Sequence, residues 1–241
     1  GNDRVSLQES FGIYTFNSSS IYNGQPGAVI SSIPNAKLRW EEARQVNLKL
    51  NLGLFDRLTV LVEAYRKKTV QAIVSNTVSR ATGETSAQSN TGELSNTGIE
   101  ATINVDIFKN RKEFSWWIEV NAAHNKNKAL ALYNDNDKAQ GNFLWRVGYD
   151  LNTLYLIRWA GVDPRDGAPL WYDANGNITR VYSIDNRVDG KSTNPDLFGG
   201  FRTGVTYKNF SVNALFTYVI GGHQFSTFSR SINSDGLNIE A

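Results

Sequence analysis

Several residue types that carry chemistry in other proteins are absent or scarce in this chain of 241 residues. It has no Cys, which excludes disulfide bonds, thiolate metal sites and cysteine nucleophiles within these residues. The two histidines, His124 and His223, lie far apart and leave little for a zinc site. With 25 basic and 23 acidic residues, the chain has no excess of positive charge for a phosphate backbone, so nucleic-acid binding is disfavoured.

Long apolar runs are missing as well. None approaches the roughly 18 residues that a membrane-spanning helix needs, and Arg158 interrupts the richest stretch, residues 154–162. Hydrophobic residues still make up 40% of the chain and charged residues 20%, which excludes a disordered tail.

What the chain does have is aromatic residues (12 Phe, 10 Tyr and 6 Trp) and strict alternation of apolar and polar side chains. In residues 46–54 every second side chain is apolar, and residues 99–107 alternate without exception. Successive residues of a strand point to opposite faces, so each run predicts a strand with one apolar face. The same pattern occurs in residues 58–65, 114–122, 201–207 and 210–220.

The connections between these predicted strands alternate in length. Short links are expected at residues 55–57, 109–112 and 208–209. Long ones are expected at about residues 70–96, at 124–198, and from 221 onward. Soluble domains seldom carry such long loops, whereas transmembrane β-barrels combine short turns on one side with long loops on the other. A soluble, carbohydrate-binding β-sandwich explains the alternation equally well and remains the alternative at this point.

Seven segments, taken in order along the chain, carry a resemblance to a known family. They are residues 35–41 (NAKLRWE), 53–59 (GLFDRLT), 92–100 (GELSNTGIE), 125–128 (NKNK), 160–177, 194–201 (NPDLFGGF) and 207–211 (YKNFS). Together they resemble the C-terminal half of the SusC/RagA family of TonB-dependent outer-membrane transporters, and residues 160–177 are the most distinctive match.

The resemblance implies an all-β fold, in which residues 1–241 are part of an antiparallel transmembrane β-barrel with long extracellular loops. The intact barrel would have about 22 strands, and the plug domain and true C-terminus would lie outside this chain. The implied function is import of glycans or peptides, as in polysaccharide utilisation, across the outer membrane of a Gram-negative bacterium. A SusD-like lipoprotein would cap the exterior, TonB would supply energy, and neither enzymatic activity nor a cofactor is expected.

Two groups of candidate site residues follow. Polar residues on the predicted strands are expected to face the barrel lumen, and loop aromatics are candidates for substrate contacts because sugar rings pack their C–H faces on aromatic rings. The lumen-facing candidates are Asn47, Lys49, Glu63, Glu100, Thr102, Asn104, Asp106 and Glu119. The substrate-binding candidates are Trp145, Tyr149, Trp159, Trp171 and Tyr172, although packing of the loop on itself or on a partner explains these aromatics too.

Further predictions concern a turn, a carboxylate pair, three segments and a group of aromatic residues. Asp173, Asn175 and Asn177 resemble the start of a calcium loop, but the Glu expected at its twelfth position is Ile184, so a hairpin tip is favoured over a metal site. Glu100 and Glu119 form a carboxylate pair for which catalysis is disfavoured.

Residues 18–20 and 75–88 are predicted to be mobile loops, and residues 124–198 a folded extracellular element. An aromatic girdle at the membrane interface is expected from Tyr65, Trp116, Tyr207 and Tyr218.

Overall fold

The computed structural model describes residues 12–22, 24–111 and 113–227. No helix in these ranges has the length and hydropathy that a bilayer crossing requires. Short 3-10 turns lie at Arg80–Thr82, Tyr133–Asp135 and Ile184–Asn186. The strands are β1 (Ile13–Tyr22), β2 (Gln25–Ser32), β3 (Glu42–Leu54), β4 (Leu58–Thr77), β5 (Ser86–Arg111), β6 (Phe114–Ala131), β7 (Lys138–Gln140), β8 (Phe143–Trp145), β9 (Thr153–Ile157), β10 (Trp159–Val162), β11 (Pro169–Tyr172), β12 (Ile178–Thr179), β13 (Arg187–Ser192), β14 (Pro195–Tyr207) and β15 (Phe210–Gly221).

The six long strands predicted from alternation form one antiparallel sheet in the order β15-β14-β6-β5-β4-β3. Tight turns join β3 to β4, β5 to β6 and β14 to β15 at the same end of the strands. We call this end of the sheet the turn edge. Phe55 and Asp56 both have positive φ, as a type I′ hairpin turn requires, and the backbone N–H of Lys208 donates to Glu113 O at 2.7 Å. The short turns predicted at residues 55–57 and 208–209 are therefore confirmed. The turn predicted at 109–112 is misplaced, because β5 continues to Arg111.

One face of this sheet is apolar across all six strands. The register places Leu50 opposite Val62 of β4, and Val60 opposite Ile103 of β5. Farther along, Val120 of β6 lies opposite Phe201 of β14. Residues 46–54 of β3 carry this face over a length close to the roughly 9–11 residues of a tilted membrane strand.

Nothing in the described part of the chain packs against this apolar face. Leu48 is 75% exposed, Val212 70% and Phe216 61%. A β-sandwich would bury these side chains against a second sheet. The sandwich alternative is therefore not supported, and an apolar face of this extent indicates contact with something other than water.

Aromatic side chains gather on the apolar face near the tight turns. The ring of Phe108 lies 5.6 Å from that of Phe114 and 6.1 Å from that of Trp116. Tyr207 and Phe210, directly opposite each other in the β14–β15 hairpin, extend the group. The register shifts between Asp106 and Phe108, so Phe108 continues the apolar face and the predicted alternation through residue 107 ends in a β-bulge.

The four residues of the predicted girdle differ in their placement on the sheet, and the girdle itself stays a prediction. Trp116 and Tyr207 lie at the turn edge, on the apolar face. Tyr218 shares that face but lies toward the opposite edge, where its hydroxyl donates to Asn121 O at 2.9 Å. Tyr65 was assigned wrongly, because it lies on the polar face beside Glu63 and covers Gly98.

Of the two stretches predicted to be mobile loops, residues 18–20 are strand, and residues 75–88 are strand at both ends with a connection at 78–85 between them. Residues 18–20 belong to β1, and residues 75–88 span the facing ends of β4 and β5. The β4–β5 hairpin extends beyond the rest of the six-stranded sheet. In this extension β4 buries apolar side chains, among them Val70 and Val74. Residues 35–41 run alongside it. Within that segment, Arg39 N donates to Asn90 Oδ1, and Glu41 Oε1 accepts from Ile73 N, both at 2.8 Å.

The long connection between β6 and β14 is folded, as predicted. It contains a four-stranded sheet in the order β13-β9-β8-β7 and a three-stranded sheet in the order β10-β11-β12. Leu144 and Leu154 are 2% and 7% exposed. Its large apolar side chains therefore build a small core at the end of the barrel sheet away from the tight turns.

Candidate functional site

The eight polar residues predicted to line a lumen share the face opposite the apolar one. In the cross-strand register, Lys49 lies opposite Glu63, and Glu63 opposite Glu100. Asn104 lies opposite Glu119, whose carboxylate is 3.9 Å from the guanidinium of Arg202. Asn47, Thr102 and Asp106 fall on the same face through the same pairings. Successive side chains of a strand point to opposite faces. The strand pairing that aligns the apolar residues on one face therefore also aligns these polar residues on the other.

Glu100 and Glu119 do not form a close carboxylate pair. Glu100 is aligned with Ala123 of β6, four positions along the strand from Glu119. That offset is about 14 Å at the usual rise per residue, beyond the roughly 5–9.5 Å found in glycosidases. The carboxylate beside Glu100 is Glu63, which accepts a hydrogen bond from Asn47 Nδ2 at 2.7 Å.

An amide ladder that sequence reasoning missed continues the polar face beyond these carboxylates. Asn127 Nδ2 donates to Asn96 Oδ1 at 2.9 Å, and the Tyr65 hydroxyl donates to Asn125 Oδ1 at 3.3 Å. Asn127 Oδ1 in turn accepts from Leu151 N at 3.2 Å. The signal in the sequence was the NKNK segment, in which Asn125 and Asn127 share a face through their spacing of two.

The five predicted loop aromatics do not form one surface. Trp159 and Trp171 lie together with ring centroids 5.9 Å apart, and Tyr182 joins them at 5.4 Å from Trp171. Trp159 and Tyr182 are 57% and 66% exposed, so this cluster presents open ring surface on the three-stranded sheet. Tyr182 is absent from the predicted set.

The other three predicted aromatics are placed separately, and each lies beside a cation. The Arg158 guanidinium is 5.1 Å from the Tyr172 ring centroid. That of Arg146 is 5.0 Å from the Tyr149 ring. Trp145 lies at a cavity next to Lys138, described below. Such cation–π contacts order the loop, so these rings serve packing at least in part.

A buried carboxylate fastens the three-stranded sheet. Asp163 is 5% exposed, and its Oδ2 accepts from Arg165 Nη2 at 2.8 Å and also from Arg180 Nη2. Arg180 Nη1 reaches Asp166 Oδ2 at 2.7 Å, which ties β12 to the β10–β11 turn. Hydrogen bonds from Arg165 and then Arg180 hold the pKa of Asp163 well below its usual range. The sequence predicted only a turn here, because the partner Arg180 is distant along the chain.

Replacing Asp163 should loosen this loop without unfolding the barrel. In the Asp163→Asn protein we expect trypsin to cut faster after Arg165 and Arg180, because both guanidinium groups lose their charged acceptor. The exposed Asp185→Asn change is the matched control. In the unchanged protein, a carboxylate with a lowered pKa gives stability that is complete above its unfolded pKa of about 3.9 and is lost only as pH falls well below that value. The factor by which Asp163→Asn speeds cleavage, a ratio that cancels the pH dependence of trypsin itself, should therefore be the same at pH 5 and pH 7. Equal cleavage of the Asp163→Asn and control proteins would contradict the assignment.

Asp173 caps the hairpin tip between β11 and β12. Its Oδ1 accepts from the backbone N–H groups of Asn175 and Asn177 at 2.9 and 2.8 Å, and its Oδ2 accepts from Asn177 Nδ2 at 3.1 Å. These bonds are those of an ordinary Asx-type turn, and they lower the pKa of Asp173. A calcium role for Asp173, Asn175 and Asn177 stays an untested prediction. Among the residues described, no cluster of three or more His, Asp or Glu side chains suits a metal ion.

Comparison with known proteins agrees with this architecture. The chain matches the family described as "TonB dependent receptor-like, beta-barrel" over residues 4–225. It is 30% identical to TonB-dependent receptor P3 of Formosa agariphila over 241 residues, which covers 89% of this chain and 24% of the relative. A structure of the RagAB peptide transporter superposes with a TM-score of 0.76 at 28% identity, covering 92% of this chain and 25% of that one. The "open-open" state of the RagAB peptide importer gives a TM-score of 0.77 with the same identity and coverage.

The chain belongs to the TonB-dependent receptor β-barrel family, and it is a SusC/RagA-like segment of such a transporter. Its six-stranded sheet is part of an antiparallel barrel wall, and the family is one of transporters. The chain spans about a quarter of the length of these relatives.

Proposed function

We propose that this chain forms part of the wall and outer loops of an outer-membrane nutrient importer in a Gram-negative bacterium. The observation that carries the proposal is the sheet's division into an uncovered apolar face and a continuous polar face. A barrel strand in lipid has this division, with apolar side chains toward the acyl chains and polar ones toward the lumen. The cluster of Phe108, Phe114 and Trp116 at the turn edge fits the interfacial aromatic belt of such barrels.

The proposed cargo is a glycan or a peptide, and the proposed partners are a SusD-like lipoprotein and TonB. The cluster of Trp159, Trp171 and Tyr182, in which Trp159 and Tyr182 are exposed, offers a contact surface for sugar faces or for a lid protein. The RagAB structures are of a peptide importer, which supports a peptide cargo as the second candidate.

Orientation of the two faces can be tested with cysteine labelling, since this segment has no Cys of its own. In the intact transporter, we expect Thr102→Cys to react with a water-soluble maleimide and the adjacent Ile103→Cys to react only with a lipid-soluble one. The physical reason is that Thr102 shares the polar face and Ile103 the apolar face. The reverse pattern would contradict the assignment of lumen and lipid sides.

Import itself can be tested in cells. Deleting the transporter's gene should abolish accumulation of its labelled oligosaccharide or peptide, and the unchanged gene should restore it only when TonB is present. Normal accumulation in the deletion strain, with the protein recovered in the soluble fraction, would reject the proposal.

A further inference from the structure

A cavity of about 320 Å³ lies where the outer end of the β4–β5 hairpin meets the segment between β6 and β8. That volume is at the lower end of the roughly 300–1,000 Å³ typical of small-molecule sites. Its wall combines two aromatic rings, three amides and one ammonium group. The lining residues are Val74, Asn76, Thr77, Leu132, Tyr133, Asn134, Asn136, Lys138 and Trp145.

Lys138 is the cation of this cavity, and it lacks an acidic partner. It is partly buried, its ammonium donates to Ser75 O, and it lies 5.8 Å from the Trp145 ring centroid. Among the described residues, no carboxylate oxygen lies within 4.0 Å of its Nζ. Burial lowers the pKa of Lys138, in the absence of any opposing charge. A partly buried ammonium without an acidic partner is available to an anionic ligand, which would form a charge-assisted hydrogen bond with it.

The carboxylates nearest to Lys138 along the chain are already engaged. Asp135 Oδ1 accepts from Leu132 N at 3.2 Å, within the turn at the cavity rim. Asp137 Oδ2 is 2.6 Å from Arg146 Nη2. Neither acid therefore neutralises the lysine.

Asn76 provides a second, independent indication of a ligand. It is 6% exposed, and its Nδ2 donates to Ser89 Oγ and Thr91 Oγ1. Its amide oxygen has no hydrogen-bond partner among the described residues, although Asn76 lines the cavity. Because Asn76 lines the cavity, its free amide oxygen is placed to accept a hydrogen bond from a ligand hydroxyl.

A tight turn forms part of the cavity rim. Asn134 and Asp135 are consecutive residues with φ of 54° and 49°, in the left-handed region that non-glycine residues rarely adopt. Two successive positive φ angles are those of a type I′ turn, in which Asn and Asp are favoured, and Asn136 N donates to Tyr133 O at 3.3 Å across it. Here it places the Asn134 and Asn136 amides at the cavity.

We propose that this cavity binds an acidic sugar residue, with the sugar carboxylate at Lys138, the apolar ring face on Trp145, and hydroxyls at the amides of Asn76, Asn134 and Asn136. The proposal deepens the proposed function, since it rests on a glycan cargo and narrows that cargo to one containing uronic acid. A simple anion would use the lysine but leave the Trp145 ring and the amides without a role. A neutral sugar would leave the lysine unpaired.

The test is binding of D-glucuronate to the purified full-length transporter, measured by saturation-transfer NMR titration, with D-glucose and acetate as comparison probes. We expect glucuronate to bind at least tenfold more tightly than either probe. The Lys138→Gln change should raise its Kd about tenfold, as loss of a charge-assisted hydrogen bond predicts, and leave weak glucose binding unchanged. Asn136→Asp, an exposed rim change that adds a negative charge, should also weaken glucuronate binding.

Controls separate this inference from a folding defect and from the proposed function. Trp40→Phe changes an exposed tryptophan that does not line the cavity and should leave glucuronate binding unchanged, whereas Trp145→Ala should abolish it. Thermal unfolding of each variant checks the fold. Equal affinity for acetate would reduce the site to a simple anion site and overturn the proposal, as would unchanged binding in Lys138→Gln. Because binding is measured in vitro, failure here alongside TonB-dependent import in cells would reject the acidic-sugar site and leave the importer intact.

Discussion

Placing an arginine at Ile103 should destabilise the intact barrel by about 2–4 kcal/mol. Ile103 lies in β5 between Val60 of β4 and Val120 of β6, in the middle of the apolar face. If that face meets lipid near the bilayer midplane, the guanidinium must be dehydrated or must distort the bilayer to reach water. The free energy of unfolding in lipid vesicles, from urea titration of the full-length transporter, gives the value.

The adjacent residue supplies the control for this prediction. Thr102 lies between Leu61 and Asn121 on the polar face, so Thr102→Arg changes the same strand at nearly the same depth. We expect a markedly smaller loss for Thr102→Arg, because the added charge would face a polar, hydrated lumen. Equal losses at the two positions would show that the two faces do not differ in environment.

The second large effect is expected from Gly199→Ala in β14. A Cβ atom at this position would lie 2.1 Å from Asn121 O, a backbone atom of β6, and 2.7 Å from the Tyr218 hydroxyl. Because Asn121 O belongs to the strand ladder, it cannot move away without separating β14 from β6. Overpacking of this kind typically costs about 1–3 kcal/mol, and we expect a value at the upper end.

Gly53→Ala is the matched control for Gly199→Ala. Gly53 is also a strand glycine, in β3, but nothing lies within 4 Å of the Cβ that alanine would add. Alanine there should be neutral or slightly stabilising, because it restricts the unfolded chain. The urea concentration at the midpoint of unfolding should thus be lower for Gly199→Ala than for the unchanged protein, and should not decrease for Gly53→Ala. A similar midpoint for both variants would contradict the close approach of β14 and β6.

The sequence by itself determined the sheet and the division of its two faces. Alternation with a period of two assigns each side chain to a face. A shift of the strand pairing by one residue would move every apolar side chain of a strand to the polar face. For this reason Leu50, Ile103 and Val212 could be grouped on one face before any strand pairing was known, and the register confirms the grouping. Composition also disfavoured thiolate chemistry, because the chain has no Cys, and phosphate-backbone binding, because 25 basic residues are nearly balanced by 23 acidic ones.

Only the tertiary structure decided the features that depend on contacts between distant segments. Asp163 pairs with Arg180 across two strands, and Asn76 of β4 reaches one cavity with Lys138 and Trp145 from the β6–β8 segment. Local pattern also failed where tertiary packing extends a strand. Residues 75–77 and 86–88 look like loop because they are polar, yet they end two paired strands, and Val70 and Val74 of the same hairpin are buried. Periodicity is a property of neighbouring residues and can be read from the chain, whereas a cavity or a charge pair exists only once loop closure has brought separate segments together.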